Sequence, residues 1–248
     1  MSVPTATYFP YFLFWRQRHR LGLPLKRVRS LLYLLVVPAL FAQPSPSDEL
    51  WTAIKPIYAK TLEHPFLKGL TDGTLPPGRF HFYLQQDAAY LDAFSHALLD
   101  LAAKAPRRDW AETLRRHAKE AIAAEKKVAP APMAPVNYAY TNHFRVAVAN
   151  GTFAEGLAAL LPCYWIYQEV GRVLVRKGSK RLAYQKWIEN YAGEEYAKSV
   201  RQVLAMFNAE APKLTVAQRT RCRELFVLSA RYEYLFWDMA WREEQWLP

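Results

Sequence analysis

The chain has 248 residues, of which 52% are hydrophobic and nine are glycine, so it can bury a large core and is neither disordered nor fibrous. Its formal net charge of +11 is typical of a nucleic-acid-binding protein, but six of the basic residues lie before residue 30. These are Arg16, Arg18, Arg20, Lys26, Arg27 and Arg29, and no acidic residue precedes Asp48. The remainder carries about +5 and contains no RNA- or DNA-binding motif, so nucleic acid is not an expected partner.

The N-terminal segment has the order of a secretory signal. A basic run at residues 25–29 precedes an apolar stretch at 31–41, and the sequence AQPS at 42–45 follows with small residues at a cut site. The apolar stretch is shorter than the ~20 residues of a membrane span. We therefore expect a leader over residues 1–47, a helical domain over residues 48–248, and export to the periplasm or outside the cell. A retained membrane anchor and a mis-annotated extension of a cytoplasmic protein are the alternatives.

Beyond the leader, apolar side chains recur at the three- and four-residue spacing of amphipathic helices, without repeats or low-complexity segments. The predicted helices cover residues 48–63, 78–104, 108–127, 137–150, 153–177, 180–208 and 215–245. Proline, glycine and asparagine fall between them, and the proline-rich stretch 129–135 is too short for a domain linker. The predicted fold class is all-α, with a single domain after the leader.

Two of these helices place an acidic side chain on the apolar face that a helix buries. Asp87 shares a face with Leu84 and Leu91, and Glu233 shares one with Phe236. An unpaired buried carboxylate costs several kcal/mol or shifts its pKa until it is neutral, so each acid needs a partner or a function. Either the two acids are ordinary buried carboxylates satisfied by tyrosine hydroxyls, or they belong to a functional site.

The helix predicted over residues 153–177 carries a thiol on its buried face. Cys163 shares this face with Leu160 and Tyr167, and Pro162 immediately precedes it. Proline inside a helix removes a backbone hydrogen bond and kinks the axis, at a cost of about 3 kcal/mol. Strain beside a thiol indicates a functional site. The alternative is that Cys163 is a free cysteine that packs as a small hydrophobic residue.

Other candidate motifs are weak. The sequence contains no HExxH, CxxC, GxGxxG or Walker motif, so we expect neither a metal nor an organic cofactor. His117 and Glu120 have the i, i+3 spacing of ligands in di-iron helical bundles. A single pair of this kind is more typical of a solvated helix face, because a di-iron site takes ligands from four helices.

Several longer stretches resemble the TenA/thiaminase II family, in the same order and across nearly all of residues 50–248. They are EHPF at 63–66, DGTLP at 72–76, YLQQD at 83–87, YAYT at 138–141, FAE at 153–155, LPCYW at 161–165, YQKW at 184–187 and YEYLFW at 232–237. The resemblance implies a heme-oxygenase-like (TenA-like) helical bundle without heme, in the cysteine-containing branch of the family, assembled as a homotetramer. The segment after Glu125 departs from the family pattern and looks shortened, close to the expected pocket entrance.

The resemblance also implies roles for individual residues. Cys163 corresponds to the nucleophile, Glu233 to the acid/base, and Asp87 to the carboxylate that binds the amino group and ring nitrogen of a pyrimidine. The tyrosines that it places around the pocket are Tyr90, Tyr140, Tyr167 and Tyr191. The implied reaction is hydrolysis of the aminomethyl substituent, or the thiazolium, from a thiamin-derived 4-amino-2-methylpyrimidine in thiamin salvage. An exported non-catalytic binder of thiamin or pyrimidine and a helical-bundle metal oxidase are the competing hypotheses.

We expect both cysteines to remain free thiols. Cys163 has to lie near Glu233 if the two act on one ring. Cys222 precedes Glu233 by eleven residues on one predicted helix, which is ~16 Å along the axis at 1.5 Å per residue. A disulfide requires Cα atoms within about 7 Å of each other. Cys163 is therefore not expected to reach Cys222.

Overall fold

Helices account for the regular structure throughout the part of the chain that can be described. The computed structural model describes residues 44–125, 128–129 and 131–247, which belong to one compact unit of the chain. The basic run and the apolar stretch of the predicted leader lie outside the described residues. Within the described residues there is no β-strand, so the predicted all-α class is confirmed. The α-helices are α1 (Pro46–Leu62), α2 (Pro65–Asp72), α3 (Pro77–Ala103), α4 (Arg108–Glu125), α5 (Pro135–Asn150), α6 (Phe153–Leu174), α7 (Leu182–Ala192), α8 (Glu194–Glu210) and α9 (Val216–Arg242), with a short 3-10 helix at Ala211–Lys213.

Side-chain caps fix where three of the helices begin. Ser45, Thr152 and Thr215 cap α1, α6 and α9, and in each case the hydroxyl accepts from the backbone N–H three residues later. The residue in that third position reaches back to the backbone of the cap, which completes a capping box. Because Ser45 is such a cap, α1 begins two residues before the predicted start at Asp48.

Two features of the helix pattern differ from the prediction. Pro65 reads as a helix stop in the sequence, but it is the first residue of α2, where a missing N–H costs nothing. His64 caps this helix, since its Nδ1 accepts from the backbone N–H of Phe66 at 3.2 Å. The helix predicted over residues 180–208 is two helices, because Gly193 has extended backbone (φ −71°, ψ 154°) and separates α7 from α8.

Helix α6 contributes most of its residues to the core and packs against α3, α5, α7, α8 and α9. Its approach to α7 depends on Gly171, where an added Cβ would lie 2.6 Å from the backbone carbonyl carbon of Tyr191. Only glycine allows two helix backbones to come this close without displacement. Across the described residues, no helix combines the length and the apolar character that a membrane crossing requires.

Candidate active site

A cavity of about 230 Å³ lies between helices α3 to α9. All seven site residues predicted from the sequence line it: Asp87, Tyr90, Tyr140, Cys163, Tyr167, Tyr191 and Glu233. The other lining residues include Phe94, His117, Glu120, Tyr164, Asn190 and Tyr196. The volume is below the roughly 300–1,000 Å³ of sites for drug-sized ligands, so the cavity suits a small molecule such as a single aromatic ring.

Helices α3 and α9 each present a carboxyl group with a raised pKa to this cavity. Asp87 on α3 is half-buried, whereas Glu233 on α9 is only 2% exposed, and the Tyr140 hydroxyl donates to its Oε1 at 2.5 Å. Burial raises the pKa of Asp87 to about 7. Burial also raises the pKa of Glu233 to about 8, while the Tyr140 hydrogen bond lowers this pKa and the charge of Asp87 raises it. At neutral pH Glu233 is therefore mostly protonated, and Asp87 exists in both forms.

Cys163 presents its thiol to the same cavity from α6. Burial raises the pKa of this thiol well above its ordinary value, the charge of Glu233 raises the pKa further, and the neighbouring Tyr90 hydroxyl lowers it. The Tyr90 hydroxyl is buried and makes no hydrogen bond of normal geometry within the described residues. The thiol is therefore protonated at neutral pH in the free protein, and Tyr90 has a donor to offer a ligand.

The backbone around the thiol is held in place by a hydroxyl from another helix. Helix α6 continues through Pro162, and the carbonyl of Cys163 accepts a hydrogen bond from the Tyr196 hydroxyl of α8 at 3.2 Å. Both cysteines are free thiols, as the sequence predicts, and Cys222 is 1% exposed in the core. The sulfur of Cys163 is therefore available for chemistry.

Aromatic rings tilted against one another form one wall of the cavity. The ring of Tyr167 lies 4.8 Å from that of Tyr191 and 5.0 Å from that of Trp237, between centroids. Trp187 packs behind this wall, 4.7 Å from Tyr191. The Tyr83 hydroxyl donates to the Tyr167 hydroxyl at 3.3 Å. Such a wall offers an aromatic ligand a rigid surface at a small entropic cost.

The prediction that His117 lies on a solvated face is wrong. Its side chain is buried, at 4% exposure, because α6 and α8 cover this face of α4. Nδ1 lies 3.1 Å from the Tyr164 hydroxyl, and Nε2 lies 3.1 Å from Oε1 of Gln202. The amide oxygen of Gln202 can only accept, so Nε2 carries the proton and Tyr164 donates to Nδ1. Burial lowers the pKa of His117, which keeps the ring neutral.

A buried amide that the sequence did not single out holds the segment leading into α5. Gln86, next to Asp87, donates from Nε2 to the carbonyl of Pro132 at 2.9 Å and accepts at Oε1 from the backbone N–H of Ala134 at 2.9 Å. Asn137 donates to both the backbone oxygen and Oε1 of Gln86. These bonds fix the first turn of α5, and the next turn carries Tyr140. Residues 132–134, which lead into α5, are therefore anchored beside the site.

The charge of the cavity is one-sided. The described residues that line it include three carboxyl groups, on Asp87, Glu120 and Glu233, but neither lysine nor arginine. Such a cavity offers acceptor oxygens to amino groups and cations, whereas a phosphate or carboxylate ligand finds no basic side chain among its described lining residues. Among the residues that the structure describes, no three His, Cys, Asp or Glu side chains are placed to hold one metal ion.

Comparison with known proteins identifies relatives of matching length. The chain is 37% identical over 222 residues to a Bacillus subtilis protein named aminopyrimidine aminohydrolase, covering 81% of this chain and 91% of that protein. It is 29% identical over 215 residues to a Halalkalibacterium halodurans protein of the same name, covering 79% and 96%.

Solved structures and a family model agree with this result. A TenA homologue from P. horikoshii OT3 superposes with a TM-score of 0.73 at 28% identity, covering 80% of this chain and 99% of that one. A Shewanella denitrificans domain with a heme oxygenase-like fold gives a TM-score of 0.59 at 15% identity, covering 79% and 92%, and supports the fold alone. The predicted heme-oxygenase-like bundle is thus confirmed. Residues 51–243 match the TENA/THI-4/PQQC family model. The chain belongs to the TENA/THI-4/PQQC family.

Proposed function

We propose that this chain is an aminopyrimidine aminohydrolase. It replaces the aminomethyl amine of a thiamin-derived 4-amino-2-methylpyrimidine with a hydroxyl group, in thiamin salvage, and it can also release the thiazolium of thiamin at the same carbon. The observation that carries this proposal is the meeting of the Cys163 thiol with the Asp87 and Glu233 carboxyls in one small, aromatic-walled cavity. The relatives named for this activity and the shared family support it.

Asp87 is suited to hold the ring. Its carboxylate has two acceptor oxygens, which match the 4-amino N–H of an aminopyrimidine and a protonated ring nitrogen beside it. The tyrosines of the cavity wall, Tyr167 and Tyr191, provide aromatic contact for the ring. A cavity without lysine or arginine among its described lining residues adds no repulsion against a protonated pyrimidine.

Covalent addition explains why a thiol is required. A pyrimidine with a leaving group on its exocyclic methylene resists direct attack by water, because simple departure leaves a poorly stabilised cation. The Cys163 sulfur adds to C6 of the ring while Glu233 transfers its proton to a ring nitrogen. The Glu233 carboxylate formed in this way can accept the proton of the thiol. The raised pKa of Glu233, about 8, keeps it protonated and able to act as the acid at neutral pH.

The remaining steps restore both the ring and the thiol. The ring with sulfur on C6 is electron-rich and expels the protonated amine as ammonia, or the thiazolium as neutral thiazole, from the methylene. Water then adds to the methylene carbon and forms the hydroxymethyl group. The proton that this water releases passes to the ammonia, or to solvent when thiazole has left. Loss of sulfur from C6 then restores aromaticity, as Glu233 returns the thiol proton to the sulfur and takes back the proton of the ring nitrogen.

The test is turnover of 4-amino-5-aminomethyl-2-methylpyrimidine, measured as released ammonia and as the hydroxymethyl product. Cys163→Ser should bind the pyrimidine but lose turnover by orders of magnitude, because a hydroxyl is a much weaker nucleophile than a thiolate. Cys222→Ser is the matched control, since this thiol is buried away from the cavity. Wild-type protein that binds the pyrimidine without turning it over would support the competing hypothesis of a non-catalytic binder. A Cys163→Ser variant as active as wild type would refute the covalent step.

We also propose a homotetramer and export from the cytoplasm. Exposed apolar side chains support self-association, among them Tyr138 and Val146 on α5, which are 54% and 59% exposed. The signal-like order of residues 25–45 supports export. Light scattering of the purified protein gives the mass of the assembly. Cell fractionation followed by N-terminal sequencing shows whether the leader is removed.

A further inference from the structure

The cavity continues into a second concavity, which we call the mouth. The mouth has a volume of about 480 Å³. Four residues line both concavities: Glu120, Asn190, Tyr196 and Ser199. They come from α4, from the end of α7 and from α8, on a part of the wall that none of the three reacting groups occupies. A substituent on a ring bound in the cavity can therefore extend into the mouth.

The end of the cavity away from the mouth, which we call the deep end, has the polar groups that suit the pyrimidine ring. The Tyr90 hydroxyl, on a side chain only 4% exposed, lies beside the Cys163 thiol but makes no hydrogen bond of normal geometry within the described residues, and it lines this end with Asp87 and Glu233. A buried hydroxyl without a partner costs free energy unless a ligand satisfies it. The ring is therefore placed at the deep end, and the group on its methylene is left to face the shared residues.

Acidic side chains outnumber basic ones around the mouth. The charged residues that line it are Arg116, Glu120, Glu189, Glu194, Glu195 and Lys198. Arg116 donates to Oε1 of Gln202 at 3.3 Å and lies 3.9 Å from Glu120, too far for a direct hydrogen bond. Glu194 is paired with Arg201, whereas Glu189 and Glu195 have no ion-pair partner among the described residues. The charge of Glu120 also acts inside the cavity, where the pKa of Tyr164 is raised well above its ordinary value by burial, by Cys163 and by Glu120. The negative charge of Glu120 therefore acts on groups in both the mouth and the cavity.

We propose that the mouth binds the departing substituent of the substrate, and that Glu120 makes it select substituents that carry a positive charge. The inference rests on the proposed function, because it takes an aminopyrimidine ring to occupy the deep end. The substituents that fit are the primary ammonium of an aminomethyl group and the thiazolium of thiamin. A phosphate ester on the thiazolium side chain brings negative charge toward the carboxylates of the mouth and is disfavoured.

Charge reversal at Glu120, with a matched reversal elsewhere on α4, tests this assignment. Glu112 is the control, because both side chains are 58% exposed and both have an arginine four residues earlier. Glu112 precedes Glu120 by eight residues, about 12 Å along the helix, and does not line either concavity. Initial rates are measured for Glu120→Lys, Glu112→Lys and wild type. The substrates are the aminomethylpyrimidine, thiamin and thiamin monophosphate.

We expect Glu120→Lys to lower kcat/KM about tenfold for the aminomethylpyrimidine and for thiamin, but not for thiamin monophosphate. Glu112→Lys should leave all three values within about twofold of wild type. Equal effects of the two variants would refute a local subsite, and wild-type protein that cleaves thiamin monophosphate as well as thiamin would refute the charge selection. Wild-type protein inactive on all three compounds would instead overturn the proposed function. A circular dichroism melt of each variant identifies loss of folding, and in that event Glu120→Gln replaces Glu120→Lys with a smaller shift in the same direction.

Discussion

Replacement of Gly171 by alanine tests how closely α6 and α7 must pack to complete the site. The added Cβ would lie 2.6 Å from the backbone carbonyl carbon of Tyr191 and 2.7 Å from the backbone nitrogen of Ala192, whereas ordinary contacts begin at 3.4 Å. The helices must therefore separate by roughly 0.8 Å, since no flexible side chain can absorb the clash. Overpacking of this kind costs about 1–3 kcal/mol, partly offset by the ~0.8–1 kcal/mol that alanine gains over glycine in a helix.

We expect a net loss of up to about 2 kcal/mol in the free energy of unfolding, and a melting temperature lower by up to roughly 8 °C. Because Tyr191 lines the cavity, kcat/KM should fall by about tenfold to a hundredfold. Urea denaturation and steady-state kinetics measure the two effects. Gly78→Ala is the control, since its Cβ meets only a side-chain oxygen of Glu243 at 3.7 Å. If Gly171→Ala unfolds and turns over like Gly78→Ala, the close packing of α6 on α7 is not required.

Four further predictions concern the acids and one structural lysine. Asp87→Asn should mainly raise the Kd for the pyrimidine and Glu233→Gln should mainly lower kcat, and swapped phenotypes in binding and rate measurements would refute the role assignment. kcat/KM should fall below pH about 7, where Asp87 gains a proton, and above pH about 8, where Glu233 loses one. In Tyr140→Phe the fall at alkaline pH should move to higher pH, because the variant lacks the hydrogen bond that lowers the pKa of Glu233. Burial raises the pKa of Glu233 in the folded state, so the protonated carboxyl contributes to stability below pH about 4 and this contribution is lost as the pH rises through about 8. Glu233→Gln should therefore be more stable than wild type in urea at pH 9. Lys104→Met should cost about 1–3 kcal/mol in urea denaturation, because Lys104 Nζ donates to the carbonyls of Val148, Ala149 and Gly151 at the end of α5; an unchanged midpoint would show that this cap contributes nothing.

The sequence predicts the part of the site that follows from helical periodicity. Asp87, Cys163 and Glu233 interrupt apolar stripes within single helices, so their inward orientation could be predicted without any tertiary information. The stripes could not show which helices meet, and the positions of Tyr140 and Tyr191 in the pocket were predicted only from the family resemblance. The structure places all of them in one cavity.

The features that the prediction missed depend on distant or competing interactions. His117 is buried by Tyr164 and Gln202, which are 47 and 85 residues away in sequence, so its local pattern is that of a surface helix. Gln86 makes its bonds to residues about 50 positions later, and nothing in its neighbourhood distinguishes it from Gln85. Gly193 is itself a helix-breaking signal in the sequence, but the helical spacing of apolar residues continues on both sides of it and predicts one helix.

The indole rings behind the tyrosine wall should make the intrinsic fluorescence of the protein sensitive to a ligand in the cavity. Trp187 and Trp237 are 8% and 0% exposed, and their rings lie 4.7 Å from Tyr191 and 5.0 Å from Tyr167, respectively. A ligand ring that packs on these tyrosines changes the polarity and the ring contacts around both indoles, so their emission should shift when the ligand binds. Rapid mixing with fluorescence detection would then time the capture of the ring separately from the release of ammonia. The same wall that confines the substrate would thus reveal whether capture or bond cleavage limits the rate.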